Sequence, residues 1–331
     1  MEKVAILGDG AWGTALAAVL AERGASVIQW SRSPDLAHEM QASRRNARFL
    51  PDLTLPPGVT VTCEPDAFAH ADLIVSAVPS RYLSAVLTGM KSHFDRGRPF
   101  ISATKGLEFP SLRRGTEIIL ETVGERPIAI LSGPSHAEEV AQRMPTAVVA
   151  ASQDPGLALR VQDLFGTERF RVYTSSDVVG VEYGGALKNV LAIAGGLVDG
   201  LGFGDNTKAA LLTRGVAEMT RLGLALGGQA ETFQGLSGIG DLVVSCTSRH
   251  GRNRLVGERI GRGEGLEAVL AGIPGTPEGV TTVKAVMDMA GRRGVEMPIC
   301  AEVHAVLFEG KSALTAVHDL MTRQQKDELP V

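Results

Sequence analysis

Lys188 stands where its neighbours leave no ordinary reason for a charge. The stretch YGGALKNVLAIAGGLVDG (183–200) reads as a buried helix filled with apolar, Gly and Ala residues. A buried ammonium is costly to desolvate, so its partner matters. At helical spacing Lys188 shares a face with Val181, Gly184, Gly185, Leu191, Ala192 and Gly195. Two arrangements fit. The small residues admit another element while the lysine snorkels to the rim, or they leave room for a ligand into which the lysine points. A counter-charge is available in GLSGIGDLVVSCTSRHGRNR. There Asp241 follows Gly238 and Gly240 as at a helix N-terminus, and Ser245 lies on its face. Arg249, His250, Arg252 and Arg254 come next. Taken singly, Asp241 reads as a cap and the arginines as a solvated loop. Taken together they describe a reaction: a lysine gives a proton to a carbonyl oxygen, a carboxylate tunes it, and an arginine forks a phosphate.

A second constellation sits at the other end of the chain. VAILGDGAWGTALAAVLAERG places Gly8, Gly10 and Gly13 in G-x-G-x-x-G spacing between a strand and an amphipathic helix. In that context Gly8 serves the tight turn, Gly10 lets a pyrophosphate approach, and Gly13 lets helix and strand pack closely. Free N–H groups at the helix start bind phosphate. The next strand ends QWSRS, with Ser31, Arg32 and Ser33 where an NAD-selective site usually carries Asp or Glu. Arg32 suits a 2′-phosphate, so NADPH is the expected cofactor, with NADH left open. Other strand ends carry VPS (78–80), ATKG (103–106) with Lys105, and SGPSH (132–136) with Gly133 and Ser135. Ligands of open α/β sheets bind along that edge.

The elements that must position these groups alternate at first. Short apolar runs at 3–8, 26–30, 59–63, 73–78, 99–104, 128–133, 147–152 and 171–175 read as strands, and segments such as 13–23 and 80–92 as helices. Continuous apolar strands are expected when both faces of a parallel sheet are covered. From about residue 178, helical patterns take over, at 178–200, 207–227, 252–260, 265–271, 279–294 and 298–309. The expected fold is an α/β Rossmann-like N-terminal domain, 1–180, followed by an all-α domain, 181–331, with substrate and catalytic groups.

Composition narrows the class. The 331 residues are 44% hydrophobic and 21% charged, with net charge −4, enough for two cores and no pull toward nucleic acid or anionic membrane. Aromatic residues, at 5%, are too sparse for base-stacking platforms. Three cysteines without metal-ligand spacing point to a reducing compartment and to no metal. The opening MEKVAILGDG runs straight into a strand, and the run at 186–203 is broken by charges and glycines. A cytoplasmic protein with no integral membrane segment is expected.

The blocks GDGAWGTALA, FLPD, ATKGLE, SGPSHAEE, PTAVVAAS, FRVY, GVEYGGALKNVLAIAGG, DGLGFGDNTKAALLTRGVAEM, GIGDLVVSCTSRHGRN and GVEMPI occur in an order that resembles the bacterial type of NAD(P)-dependent glycerol-3-phosphate dehydrogenase. The resemblance runs from Lys3 to about Lys326. It implies reversible reduction of dihydroxyacetone phosphate to sn-glycerol 3-phosphate, feeding glycerophospholipid synthesis. It implies a cofactor site at Gly8, Gly10, Ala11, Trp12, Gly13, Arg32, Lys105, Ala137, Arg252, Thr276 and Glu278. It implies a substrate site at Lys105, Gly133, Ser135, Lys188, Asp241, Gly251, Arg252 and Asn253. Lys188 matches the family's proton donor and acceptor, with Asp241 and Lys105 beside it, and Arg252 and Asn253 match the phosphate-binding pair. The chain departs from the pattern at Asp9, where a small residue is common, at His136 for Phe, and at Gly251 for Ser. TPEGVTT also lacks the aromatic and arginine often found after Glu-Gly. Without the resemblance, the residues reach a dehydrogenase with a small phosphorylated substrate. A related two-domain enzyme for another hydroxy acid, a dinucleotide sensor and a homodimeric state stay open. A sensor needs only the glycine cradle, which leaves the lysines unexplained.

Overall fold

The structure, a computed structural model, describes residues 1–94, 97–273, 275, 277–325, 327 and 328. Ten strands are present among them: β1 (Lys3–Leu7), β2 (Ser26–Trp30), β3 (Arg45–Asn46), β4 (Leu50–Thr54), β5 (Val59–Thr62), β6 (Leu73–Ser76), β7 (Phe100–Ser102), β8 (Ile128–Ser132), β9 (Thr146–Ala151) and β10 (Phe170–Ser175). Eight form one sheet in the order β10-β9-β8-β7-β6-β1-β2-β5. The run from β5 to β8 is parallel, and β9 then pairs antiparallel with β8. The remaining two, β3 and β4, pair with each other in a hairpin. That hairpin was not among the expected strands, since its members are short and largely exposed.

Helices cover both faces, which is why the central strands are apolar throughout. On one side α1 (Ala11–Glu22), α2 (Pro34–Ser43), α5 (Ala137–Ala141) and α6 (Pro155–Phe165) bury Leu16, Leu20, Met40, Val140 and Phe165 against Val4, Ile6 and Val27. On the other, α3 (Ser80–Met90) and α4 (Gly115–Val123) bury Leu83, Leu87, Ile118 and Ile119 against Ala5, Leu7 and Ile74. The order β2-β1-β6 reverses direction at β1, so the crevice at the carboxyl ends of β1 and β6 is the switch point where such sheets bind ligands.

The second lobe is helical throughout the described residues. It comprises α7 (Val178–Gly200), α8 (Asp205–Ala225), α9 (Ala230–Gln234), a π-helical turn at Leu236–Gly240, α10 (Asp241–Thr247), α11 (Arg252–Gly261), α12 (Leu266–Ala271), α13 (Glu278–Arg293), α14 (Pro298–Phe308) and α15 (Ala313–Met321). Around α7, residues from α8, α9, α10, α13 and α14 form one apolar core. The helix tolerates its glycines because they seat other chains: a Cβ at Gly196 would lie 1.9 Å from the Arg254 carbonyl oxygen of α11. Its first turn also buries Val178 and Val181 against Ile130 and Ala151 of the sheet, so α7 ties the lobes together. No helix among the described residues is long and apolar enough to cross a membrane.

Candidate active site

Each glycine of the N-terminal loop shows its own geometry. Gly8 has φ +125°, a region closed to most side chains, and a Cβ there would meet the Ala77 carbonyl at 3.1 Å. At Gly13 a Cβ would lie 2.6 Å from the Gly8 carbonyl oxygen, so helix and strand touch. Gly10, by contrast, has nothing within 4 Å of that position. It opens onto the crevice and starts α1 without a side-chain cap, leaving first-turn N–H groups to meet an anion. The Trp12 indole nitrogen is buried without a hydrogen-bond partner in the protein. Arg32, just past β2, is exposed and forms no ion pair among the described residues. Ala137 begins α5, which packs beside α1. An open glycine cradle, free helix-start amides, an orphaned buried donor and an unpaired cation fit a phosphorylated dinucleotide.

Beyond the cradle, three charges meet across the seam between the lobes. Lys105 follows β7; its Nζ donates to the Gly133 carbonyl at 2.7 Å, to Ser135 Oγ at 3.1 Å and to Asp241 Oδ2 at 2.9 Å. Lys188 comes from the middle of α7; its Nζ donates to Asp241 Oδ1 at 3.0 Å and Ser245 Oγ at 2.6 Å. Asp241 is thus bidentate between two ammonium groups, and all three residues avoid solvent: side-chain exposure is 18% for Lys105, 9% for Lys188 and 2% for Asp241. The π-helical turn before α10 aims the carboxylate inward. Burial would push its pKa up, but the two ammoniums outweigh burial and hold it below the ordinary aspartate value. Burial pushes Lys105 below its ordinary value; Lys188 acts in the same direction and Asp241 opposes them. Two cations on one anion leave a surplus positive charge at the cleft, suited to a developing oxyanion.

Of the two arrangements open for Lys188, the structure shows the packing of the first but not its snorkelling. The glycines on its face do seat other elements: a Cβ at Gly184 would lie 2.5 Å from the Ser237 carbonyl, at Gly185 2.7 Å from Ser132 Oγ and at Gly195 3.1 Å from the Cys246 Cβ. Yet Lys188 does not snorkel to water. The close approach carries Asp241 and Ser245 up to it. Sequence spacing shows that room exists on a helix face but not what fills it.

Other residues show tighter commitments than their types suggest. The Asn253 side chain donates to Asn189 Oδ1 at 2.9 Å and accepts from the Gly279 N–H at 3.0 Å. Asn189 in turn donates to the Lys105 carbonyl at 3.0 Å. This amide chain locks α11, α13 and α7 to the loop carrying Lys105. It leaves the Asn253 backbone N–H, in the uncapped first turn of α11, as the group free for an anion. Arg252 begins the same turn, exposed and without a hydrogen bond or ion pair among the described residues. Gly251 occupies the N-cap position, buried against the Ser245 carbonyl and offering no side-chain cap. Glu278 accepts from the N–H and hydroxyl of Ser80, strapping α13 to the start of α3; burial holds its carboxyl above the ordinary value. His136 packs 6.1 Å from His250 between ring centroids, and burial together with Lys188 and Lys105 lowers its pKa. Asn189 was given no role from sequence, and Ser80 appeared only within VPS at a strand end, without Glu278 as its partner. The one available signal for Asn189 was a second polar residue in the apolar run, next to Lys188. Thr276 lies outside the described residues.

A nucleotide cradle at the switch point, facing a lysine-carboxylate-lysine cluster shared between the sheet and the helical lobe, defines a two-domain nicotinamide-nucleotide-dependent oxidoreductase. Two family models match: NAD-dependent glycerol-3-phosphate dehydrogenase N-terminus over residues 3–158 and the C-terminus of the same family over 177–318. The chain belongs to the NAD-dependent glycerol-3-phosphate dehydrogenase family. Among its relatives, a glycerol-3-phosphate dehydrogenase [NAD(P)+] of Prosthecochloris aestuarii is 48% identical over 330 residues, 98% of this chain and 99% of that one. The crystal structure of glycerol-3-phosphate dehydrogenase from Coxiella burnetii superposes with a TM-score of 0.93 at 40% identity, covering 97% of this chain and 99% of the other. A yeast glycerol-3-phosphate dehydrogenase, from Saccharomyces cerevisiae, gives a TM-score of 0.83 at 27% identity, covering 97% and 99%.

Proposed function

We propose that the chain interconverts dihydroxyacetone phosphate and sn-glycerol 3-phosphate, using NADPH by preference and NADH as well. Its place would be the cytoplasm, where the product feeds glycerophospholipid synthesis; three free cysteines support a reducing compartment. The observation that carries the reading is Asp241 gripped by Lys105 and Lys188 at the seam facing the glycine cradle. A bound nicotinamide supplies hydride to the carbonyl carbon. Lys188 holds the proton that the carbonyl oxygen needs, and in the reverse direction its neutral form takes that proton back. Lys105, fixed by Gly133 and Ser135, stabilises negative charge on the same oxygen and helps hold the substrate. Arg252 and the first-turn amides of α11 receive the phosphate, and Arg32 receives the 2′-phosphate of NADPH. The direct test is NADPH oxidation with dihydroxyacetone phosphate beside unphosphorylated dihydroxyacetone. Rapid turnover of the first alone is expected; equal rates with both would remove the phosphate from the reading.

Arg252 yields a graded expectation. Loss of a charge-assisted bond costs about 1.5–3 kcal/mol, so Arg252→Ala should lower kcat/KM for dihydroxyacetone phosphate roughly 10- to 100-fold. Steady-state kinetics at saturating NADPH measure this. Near-normal values would make Arg252 an ordinary surface arginine.

A further inference from the structure

We infer that Asp9 is a cofactor-selecting residue: its carboxylate, delivered from the glycine loop, stands in for the acidic residue missing at the end of β2 and opposes Arg32 in the choice between NADH and NADPH. The inference rests on the dinucleotide reading of the cradle and deepens it. The position that usually carries Asp or Glu holds Ser31, which is fully buried. Its hydroxyl accepts from the Ser33 N–H at 3.1 Å and donates to Asp9 Oδ2. The carboxylate is thereby drawn across the carboxyl end of β2, to the residue beside Arg32.

The loop is held in that pose from beneath. Asn46 Nδ2 donates to the Asp9 carbonyl at 2.7 Å and to Thr14 Oγ1 at 2.8 Å, while Asn46 Oδ1 accepts from the Phe49 N–H at 3.1 Å. Gln29 Nε2 donates to the Gly8 carbonyl at 3.1 Å. Asn46, Thr14 and Gln29 are wholly buried. Asp9 itself is only half-buried, and its Oδ1 accepts no hydrogen bond among the described residues. A carboxylate with a free oxygen there accepts from ribose hydroxyls, as NADH offers them, and repels a 2′-phosphate. Arg32, one residue further on, does the reverse.

The experiment measures dissociation constants of NADH and NADPH on the enzyme without substrate, by quenching of tryptophan fluorescence. Asp9→Asn keeps the size and an acceptor for Ser31 but deletes the charge. It should weaken NADH and tighten NADPH, moving the ratio of the two constants toward NADPH by about tenfold or more. Arg32→Ala should move the ratio the opposite way. Ser31→Ala, which removes the contact that aims the carboxylate, should shift the ratio in the Asp9→Asn direction by a smaller factor, and serves if Asp9→Asn does not fold. Equal weakening of both nucleotides by Asp9→Asn would make Asp9 a mere brace for the loop and overturn the inference. Failure of the unsubstituted protein to bind either nucleotide would overturn the dinucleotide reading itself.

Discussion

Replacing Lys188 with Met is expected to lower turnover of dihydroxyacetone phosphate by at least about 10²-fold, the lower end for a positioned acid–base group. The variant keeps length and apolar bulk while removing charge and proton. The fold should survive. Asp241 loses one of its two ammonium partners but keeps Lys105 at 2.9 Å, so no buried carboxylate is stranded. The unbranched, polarizable thioether takes the path of the lysine stem and ends beside Ser245, which contacts the Lys188 ammonium. NADPH affinity should stay near its original value, because the cradle belongs to the other lobe. The measurement is single-turnover NADPH oxidation alongside equilibrium NADPH binding and circular dichroism. A folded, nucleotide-binding variant with undiminished turnover would strip Lys188 of the proton-transfer role.

Removing the shared anion should act differently. Asp241→Asn leaves two ammonium groups facing each other in a site with little solvent. Breaking a buried pair by neutralising one partner costs about 3–5 kcal/mol, so a markedly lower Tm at neutral pH is expected. The cluster can relieve that cost by shedding a proton, since a like charge and burial both favour neutral lysine. In the proposed reaction the carbonyl oxygen draws its proton from this cluster, so reduction slows once rising pH strips that proton away. Without Asp241 that fall should move to lower pH, with turnover near neutrality down by about 10². A pH–rate profile of kcat separates this outcome from simple misfolding, which lowers the amplitude without moving the limb. An unmoved limb would mean that Asp241 does not set the proton affinity of the cluster. The sign for stability is also fixed. Asp241 has a depressed pKa in the folded protein. Its contribution is therefore complete above the pKa of an unfolded aspartate and is lost as pH falls through the folded value.

Much of this molecule was legible before any fold was in view. Strand-helix alternation, the glycine spacing and the switch to helical periodicity near residue 178 each depend on near neighbours, and chain order alone carries them. The same local logic reached Gly8, Gly10 and Gly13, whose separate roles reappear as a positive φ, an open face and a 2.6 Å contact. The chemical types of Lys105, Lys188, Asp241 and Arg252 were equally plain.

What only the tertiary structure decided is which of these types meet, and with what left over. Lys105 and Asp241 are separated by 136 residues, and no period links them; the packing of α7 on both the sheet and α10 brings them to one carboxylate. The glycines around Lys188 could have meant packing or a cavity. Packing won, because a close backbone approach was the means of lifting Asp241 and Ser245 to the ammonium. The family resemblance made Asn253 a phosphate ligand, but its side-chain amide is taken by Asn189 and Gly279, so its backbone N–H is what remains. Asp9 read only as a departure from the family pattern, where a small residue is common. Ser31, 22 residues away, holds its carboxylate at the carboxyl end of β2. In each case the sequence determined the functional group, and its partners were set by contacts between distant segments, whose formation depends on the packing of whole elements rather than on local spacing.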